Sequence, residues 1–289
     1  MSLSVFAILM LSALGHATWN AMAKKIEDRD SFFTLIMGVS VVLYLPAALY
    51  LWTTTPFPQE AWKWIGFSTL FEILYFVSLA KAYQLAPLST AYPLVRGTAP
   101  LATTCMAFAL GSALPTVLGV SGTLLIVVGI LLINQSKLSF RSLFTSIRQN
   151  FQGAGWALVA GLFTACYNVS DSYGALTMSG ILFKYVVFIG MFLGKMMLDL
   201  RTRPANTYWT LATKYPVLTL AAGFLLFGAN SLAVYAMQTT PVAAVASVRE
   251  VSIVFAAIIG MVWLKERISR VKWVSIITIV TGVFLIKLQ

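Results

Sequence analysis

Ala82-Tyr-Gln-Leu-Ala-Pro87 and Ala236-Met-Gln-Thr-Thr-Pro241 are one element written twice. Each closes an apolar stretch and opens another with charge inside it, Arg96 after the first copy and Arg249 with Glu250 after the second. A charge deep in a lipid-length helix is costly, so it marks a polar pathway or a buried pair. Its recurrence at matching places predicts a duplicated membrane architecture with a polar site between the copies.

Composition sets the same class. Hydrophobic residues make up 59% of the 289-residue chain and charged residues 10%, against about 25% charged in soluble domains. Mean hydropathy is +0.86. The net charge of +11 resides in short loops between apolar runs. That is a positive-inside distribution rather than a nucleic-acid footprint, so no nucleic-acid partner is expected. Cys105 and Cys166 each lie in an apolar run with no metal-ligand spacing around them, so neither a disulfide framework nor a metal site is predicted. Met1 to Ala23 lacks the basic start of a signal peptide and continues apolar through Trp19 and Asn20, which predicts an uncleaved first helix.

A helix needs about 20 apolar residues to cross the hydrocarbon core. Ten segments qualify: 3–23, 31–52, 62–83, 89–110, 115–134, 153–173, 179–200, 214–237, 242–264 and 270–288. The fold class predicted is therefore an all-α polytopic membrane protein, ten helices in two inverted five-helix repeats. The longest connection, 135–152 with Lys137, Arg141 and Arg148, is a basic linker joining repeats 1–134 and 153–289. Basic residues gather after spans one, five, seven and nine, which places the linker in the cytoplasm and both termini outside it. Five spans per half reverse the direction of equivalent helices. The turns agree: Gly111-Ser-Ala-Leu-Pro-Thr116 is uncharged, and its counterpart Leu264-Lys-Glu-Arg-Ile-Ser-Arg270 is strongly basic. Ala17-Thr-Trp-Asn20 and Ala165-Cys-Tyr-Asn168 are a further pair.

These features resemble the EamA-like branch of the drug/metabolite transporter superfamily. The matching residues are Pro241 to Ile259-Gly260, Lys265-Glu266 and Gly282 in the second half, and Pro87 to Leu110-Gly111 with Gly119, Gly122 and Gly129 in the first. The first-half turn departs by having Gly111-Ser112 where many members place Gly-Glu. The resemblance covers the whole chain and implies ten helices in two inverted repeats. It also implies a carrier of small metabolites, with exporters of amino acids and related solutes among the members.

The candidate substrate contacts are Arg96, Tyr92, Trp19, Asn20, His16, Glu72, Tyr75, Tyr167, Asn168, Asn230, Arg249 and Glu250. Arg96 and Arg249 each lie about 12 Å along their spans, too deep to snorkel easily. Facing a central cavity, their planar guanidinium groups would meet a carboxylate, phosphate or phosphonate. Alternatively Arg96 pairs with Glu72 of span three, and Arg249 with Glu250 or a carbonyl, while Asn230 could meet Arg249. Pro93 and Pro100 can kink span four near its middle. Glu72 or Glu250 could carry a coupling proton, or could simply neutralise an arginine. His16, Trp19 and Asn20 share one face of span one; Tyr167, Asn168 and Asp171 give span six a similar face; Tyr75 and Tyr92 lie a turn from Glu72 and Arg96. A structural histidine, or aromatics in an interfacial belt, is the other reading of these faces. Lys184, early in span seven, is expected to snorkel. Gly190-x-x-x-Gly194 is read as helix packing within the chain rather than dimerisation.

No catalytic motif and no ATP-binding loop occurs, so neither enzymatic activity nor a cofactor is expected, and a gradient must supply the energy. The expectation is a multi-pass transporter of the cell membrane, acting on a small anionic or zwitterionic solute as monomer or homodimer, with export the direction the resemblance suggests. The rival is a lipid-linked or non-transporting membrane scaffold.

Overall fold

The computed structural model describes residues 1–112, 115–135, 139–263, 265 and 268–288. Lys137, Leu264, Glu266 and Arg267, and the centre of the turn at Gly111, lie outside the described residues. Among those described, every regular element is a helix. The first half holds α1 (Leu3–Ala23), α2 (Arg29–Thr54), α3 (Ala61–Leu85), α4 (Leu88–Ala109) and α5 (Val117–Leu132). The linker carries α6 (Arg141–Gln149). The second half holds α7 (Phe151–Thr177), α8 (Gly180–Asp199), α9 (Asn206–Lys214), α10 (Pro216–Ala236), α11 (Val242–Arg249), α12 (Ser252–Trp263) and α13 (Arg270–Lys287).

Each of the ten apolar segments falls on a helix, or in one case on the pair α11 and α12. Among the described residues, six stretches are long and apolar enough to cross a membrane: α1, α2, α3, α8, α10 and Val242–Trp263. Large apolar side chains such as Val42, Trp52, Val117, Trp209 and Val217 are exposed on the outside, as lipid contact requires. The sequence treats 135–152 and 200–214 as plain connections. Each in fact holds a short helix, and α6 shows Arg141, Arg148 and an exposed Phe144 outside a buried Leu143.

Local chemistry sets the helix starts. Ser2, Asp28, Thr116 and Ser269 accept backbone N–H groups at the starts of α1, α2, α5 and α13. The two copies of the opening motif fold alike. Pro87 O accepts from the N–H groups of Thr90 and Ala91 at 2.9 and 3.0 Å, and Pro241 O from those of Ala244 and Val245 at 3.0 and 3.2 Å. Proline suits that first position, where its missing N–H is not needed.

Packing obeys an exchange of halves. α3 lies along α7, as α10 lies along α1; α4 packs on α7, as α11 and α12 pack on α1; α5 and α13 pair with each other. The last pair meets at glycine. A methyl built on Gly122 would come within 2.6 Å of Gly282 O, and one on Gly282 within 2.5 Å of Gly122 O. Gly190 and Gly194 turn toward Thr69 and Ile73 of α3, the within-chain packing expected of that motif.

Two expectations about helix continuity change. α4 runs unbroken through Pro93 and Pro100, although Pro100 leaves the Arg96 carbonyl without its usual donor. The interruption falls in the other half, between Val242 and Trp263, a stretch that contains no proline. Glu250 N bonds Ser247 O at 3.1 Å and Val251 N bonds Val248 O at 3.0 Å, a tightened turn that separates α11 from α12.

One end of the bundle is clasped by charge. Lys195 of α8 reaches Asp30 at 2.9 Å and Asp199 at 2.7 Å; Arg203 reaches Asp30 at 3.0 Å, Asp28 at 3.4 Å and Ser31 Oγ at 2.7 Å. Thr34 donates to Asp199 at 2.6 Å. Partial burial pushes the Asp28 carboxyl up, but the hydrogen bonds from Ser31 and the charges of Arg203 and Lys195 outweigh it and hold the group below its usual 3.8. Burial, with Asp199 alongside, pushes the Tyr208 phenol up to about 12. The clasp joins the start of α2 in the first half to the end of α8 in the second.

Candidate functional site

Arg96 projects from α4 toward the second half. Its Nη1 donates to Glu250 Oε1 at 3.3 Å, and its Nη2 lies 3.0 Å from His16 Nε2. Arginine has no acceptor, so Nε2 must accept and the imidazole proton sits on Nδ1. The Tyr92 ring, one turn earlier on α4, is 5.7 Å from the Arg96 guanidinium carbon. Within the tightened turn that ends α11, Arg249 donates to Asn230 Oδ1 at 3.0 Å, and the Asn230 amide donates to the Leu226 carbonyl at 2.8 Å. Trp19 packs edge-on against His16, centroids 5.3 Å apart, and against Phe33. Asn20 donates back to the His16 carbonyl at 2.8 Å, steadying the same face of α1.

These contacts leave polar atoms over. Four buried side-chain atoms among the described residues have no hydrogen-bond partner, and three of them are here: His16 Nδ1, Trp19 Nε1 and Glu250 Oε2. Buried polar groups are normally satisfied, so these three atoms are the ones available to meet a polar solute. Two are donors and one is an acceptor. Arg96 is partly open, its side chain 26% exposed, while that of Glu250 is 7% exposed.

A second polar cluster lies beside the first. Lys184 of α8 donates to Glu72 Oε1 of α3 and, at 2.6 Å, to Asp171 Oδ2 of α7. Ser68 donates to the other Asp171 oxygen at 2.5 Å. Two tyrosines connect the clusters. The Tyr167 ring lies 5.6 Å from the Lys184 ammonium and 5.9 Å from the Tyr75 ring, and Tyr75 is within electrostatic reach of both Arg96 and Glu72.

The pairings differ from the alternatives open in the sequence. Arg96 takes Glu250 across the repeat boundary rather than Glu72; Glu72 takes Lys184; Arg249 takes Asn230 as anticipated. Lys184 does not snorkel, being 2% exposed. It starts only a few residues into α8, but α3 and α7 each bring it an acid. Charge balance was the signal for it: two mid-helix acids in spans three and six need a base, and Lys184 is the one nearby. Asn168 bonds to α4, its Nδ2 donating to Thr103 Oγ1 at 3.4 Å. His16, Trp19, Asn20, Tyr92, Arg96 and Glu250 are joined by direct contacts, Glu72, Tyr75 and Tyr167 gather at Lys184, and Arg249 pairs with Asn230 next to Glu250 in the chain.

A cavity of about 240 Å³ opens elsewhere, between Ala107 to Ser112 at the end of α4, Val169 to Leu176 of α7, and Val242. Its lining is mostly apolar. It begins about 17 Å along α4 from Arg96, a vestibule position rather than the polar centre.

Two half-bundles related by exchange, with paired polar groups on the seam, define a duplicated membrane-helix fold. The profile of the EamA-like transporter family matches residues 3–135 and 151–288. The chain belongs to that family, a membrane protein of the drug/metabolite transporter superfamily. A solved structure described as "Crystal structure of protein" has the same fold, with a TM-score of 0.72 and 16% identity over 98% of this chain and 96% of that one. No curated protein matches the chain.

Proposed function

We propose that the chain is a secondary transporter that carries a small zwitterionic or anionic metabolite, amino acids and their analogues first, by alternating access between ten membrane-crossing segments in two inverted halves. The observation that carries this reading is the set of unpartnered atoms beside two guanidinium groups. A solute carboxylate would accept from Arg249 and from the Trp19 indole or the His16 ring, and a solute ammonium would donate to Glu250 Oε2. Arg249 is the stronger anchor because its one side-chain partner among the described residues is a neutral amide, whereas Arg96 is already paired with Glu250. Tyr92, Tyr75 and Tyr167 would supply the aromatic wall.

Further support comes from the clasp between α2 and α8. Contacts that join the halves at one end are the kind that rocking would break as that end opens. By the positive-inside rule that end is cytoplasmic, the vestibule faces the other side, and both termini are non-cytoplasmic in the cell membrane. Net direction follows the gradients, as in any secondary transporter.

The test is counterflow in proteoliposomes. Vesicles loaded with an unlabelled amino acid should accumulate the labelled one, and Arg249→Gln should abolish accumulation while leaving the protein folded in detergent. Absence of flux for any amino acid, organic anion or phosphonate would favour the non-transporting scaffold. Full flux in both Arg249→Gln and Arg96→Ala would refute the site.

A further inference from the structure

We propose that Glu72, Asp171 and Lys184 form an exchangeable-proton site, separate from the solute contacts at Arg96 and Arg249, with the proton on Glu72. Its coupling to transport rests on the function proposed above; its proton binding does not.

The argument begins with charge. Fully ionised, two carboxylates and one ammonium leave one negative charge in excess. All three residues are buried, at 5%, 2% and 2% exposure. Arg249, which has no ion-pair partner among the described residues, acts on Glu72 only at longer range, so the excess charge within the triad is unfavourable, and a proton is the smallest species that removes it. A purely structural staple between helices would need one acid for one base. The second acid is the unexplained part.

Geometry then says where the proton goes. Both oxygens of Asp171 accept hydrogen bonds, one from Lys184 and one from Ser68. Glu72 accepts from Lys184 alone among the described residues, at Oε1. Protonation of Asp171 would sacrifice an accepted bond, whereas Glu72 can add a proton on Oε2 and keep Lys184 as donor. The result is a neutral Glu72 beside an intact Lys184 and Asp171 pair, with no other bond made or broken.

The surroundings connect this site to the solute. Tyr75 on the same helix, Tyr167 from α7 and, at longer range, Arg249 are the other titratable or charged groups that face Glu72. A carboxylate seated on Arg249 cancels part of that cation's field at Glu72. Solute and proton therefore favour each other, and by linkage the effect is reciprocal. The three residues also come from both halves, α3 from the first and α7 with α8 from the second, so their charge state bears on the surface along which the halves move.

Two measurements decide. Infrared difference spectra of the protein in nanodiscs, recorded only above about pH 5.5, where exposed carboxylates stay ionised, should show a protonated-carboxyl band that disappears in Glu72→Gln. It should also disappear in Asp171→Asn, where Glu72 and Lys184 balance without it. No titrating band in the wild type, or a band that survives Glu72→Gln, overturns the proposal, whatever the protein transports. In proteoliposomes, an inward proton gradient should raise wild-type net uptake severalfold. Glu72→Gln should lose that response, so that whatever uptake it retains is the same with and without the gradient. Counterflow with no response to the gradient in the wild type overturns the coupling. If no solute moves at all, the transport reading fails and the spectra alone judge the proton site.

Discussion

The pairing of Arg96 with Glu250 can be tested by a double-mutant cycle that sets two geometries against each other. At 3.3 Å and an effective dielectric of about 20, the attraction between the two charges is about 5 kcal/mol. The partial exposure of Arg96 and the desolvation of both groups reduce what is measurable, so the expected coupling energy is about 1–3 kcal/mol. The variants are Arg96→Gln, Glu250→Gln and the double substitution, followed by thermal or denaturant unfolding in detergent. Each single change leaves a buried or half-buried charge without its counter-ion. The double change removes both, so its cost should fall short of the sum of the singles. The second cycle pairs Arg96→Gln with Glu72→Gln. There Glu72 is held by Lys184, and the effects should add to within about 0.5 kcal/mol. Additivity in the first cycle and coupling in the second would mean that Arg96 lies against α3 instead, and the reasoning about the seam between the halves would be wrong.

Other outcomes follow from the packing and the charges. Lys184→Met leaves Glu72 and Asp171 facing each other with no base between them, and should destabilise the protein by about 3–5 kcal/mol, read as a lower unfolding temperature. Gly122→Ala places a methyl 2.6 Å from a backbone oxygen of α13 and should cost about 1–3 kcal/mol. Gly66→Ala, whose methyl meets nothing within 4 Å, should be neutral or slightly stabilising in the same assay through helix propensity. The Asp28 carboxyl is held below 3.8 in the folded protein, so its contribution is present above that value and lost as the pH falls through the folded one. Wild type and Asp28→Asn should therefore differ in unfolding temperature at neutral pH and converge below about pH 3.8. A constant gap across the acid range would show that Arg203, Lys195 and Ser31 do not stabilise the ionised form.

How much was readable beforehand depends on which physical term each feature obeys. Span length and apolarity are properties of a contiguous stretch, because a helix satisfies its own backbone in lipid. The all-helical class and the rough limits of the apolar helices were therefore legible, as was the duplication, since Pro87 and Pro241 impose the same local start on α4 and α11. The positions of Arg96 and Arg249 along their helices were legible too, because each is a count of residues along a helix axis. Which way a helix faces was not. Arg96 meets Glu250, and Lys184 meets Glu72 and Asp171, because helices from opposite halves lie side by side, and position along one chain says nothing about azimuth against another. The break between α11 and α12 was equally hidden, since no proline or glycine marks it. The prolines of α4 drew attention to the wrong half, because a missing N–H need not end a helix that its neighbours hold in place. Composition and periodicity thus decided that the chain is a duplicated bundle for lipid, with charge at two matched depths. The partners of those charges, and the second acid left without a base, exist only once the bundle has closed and removed the water that would otherwise have answered them.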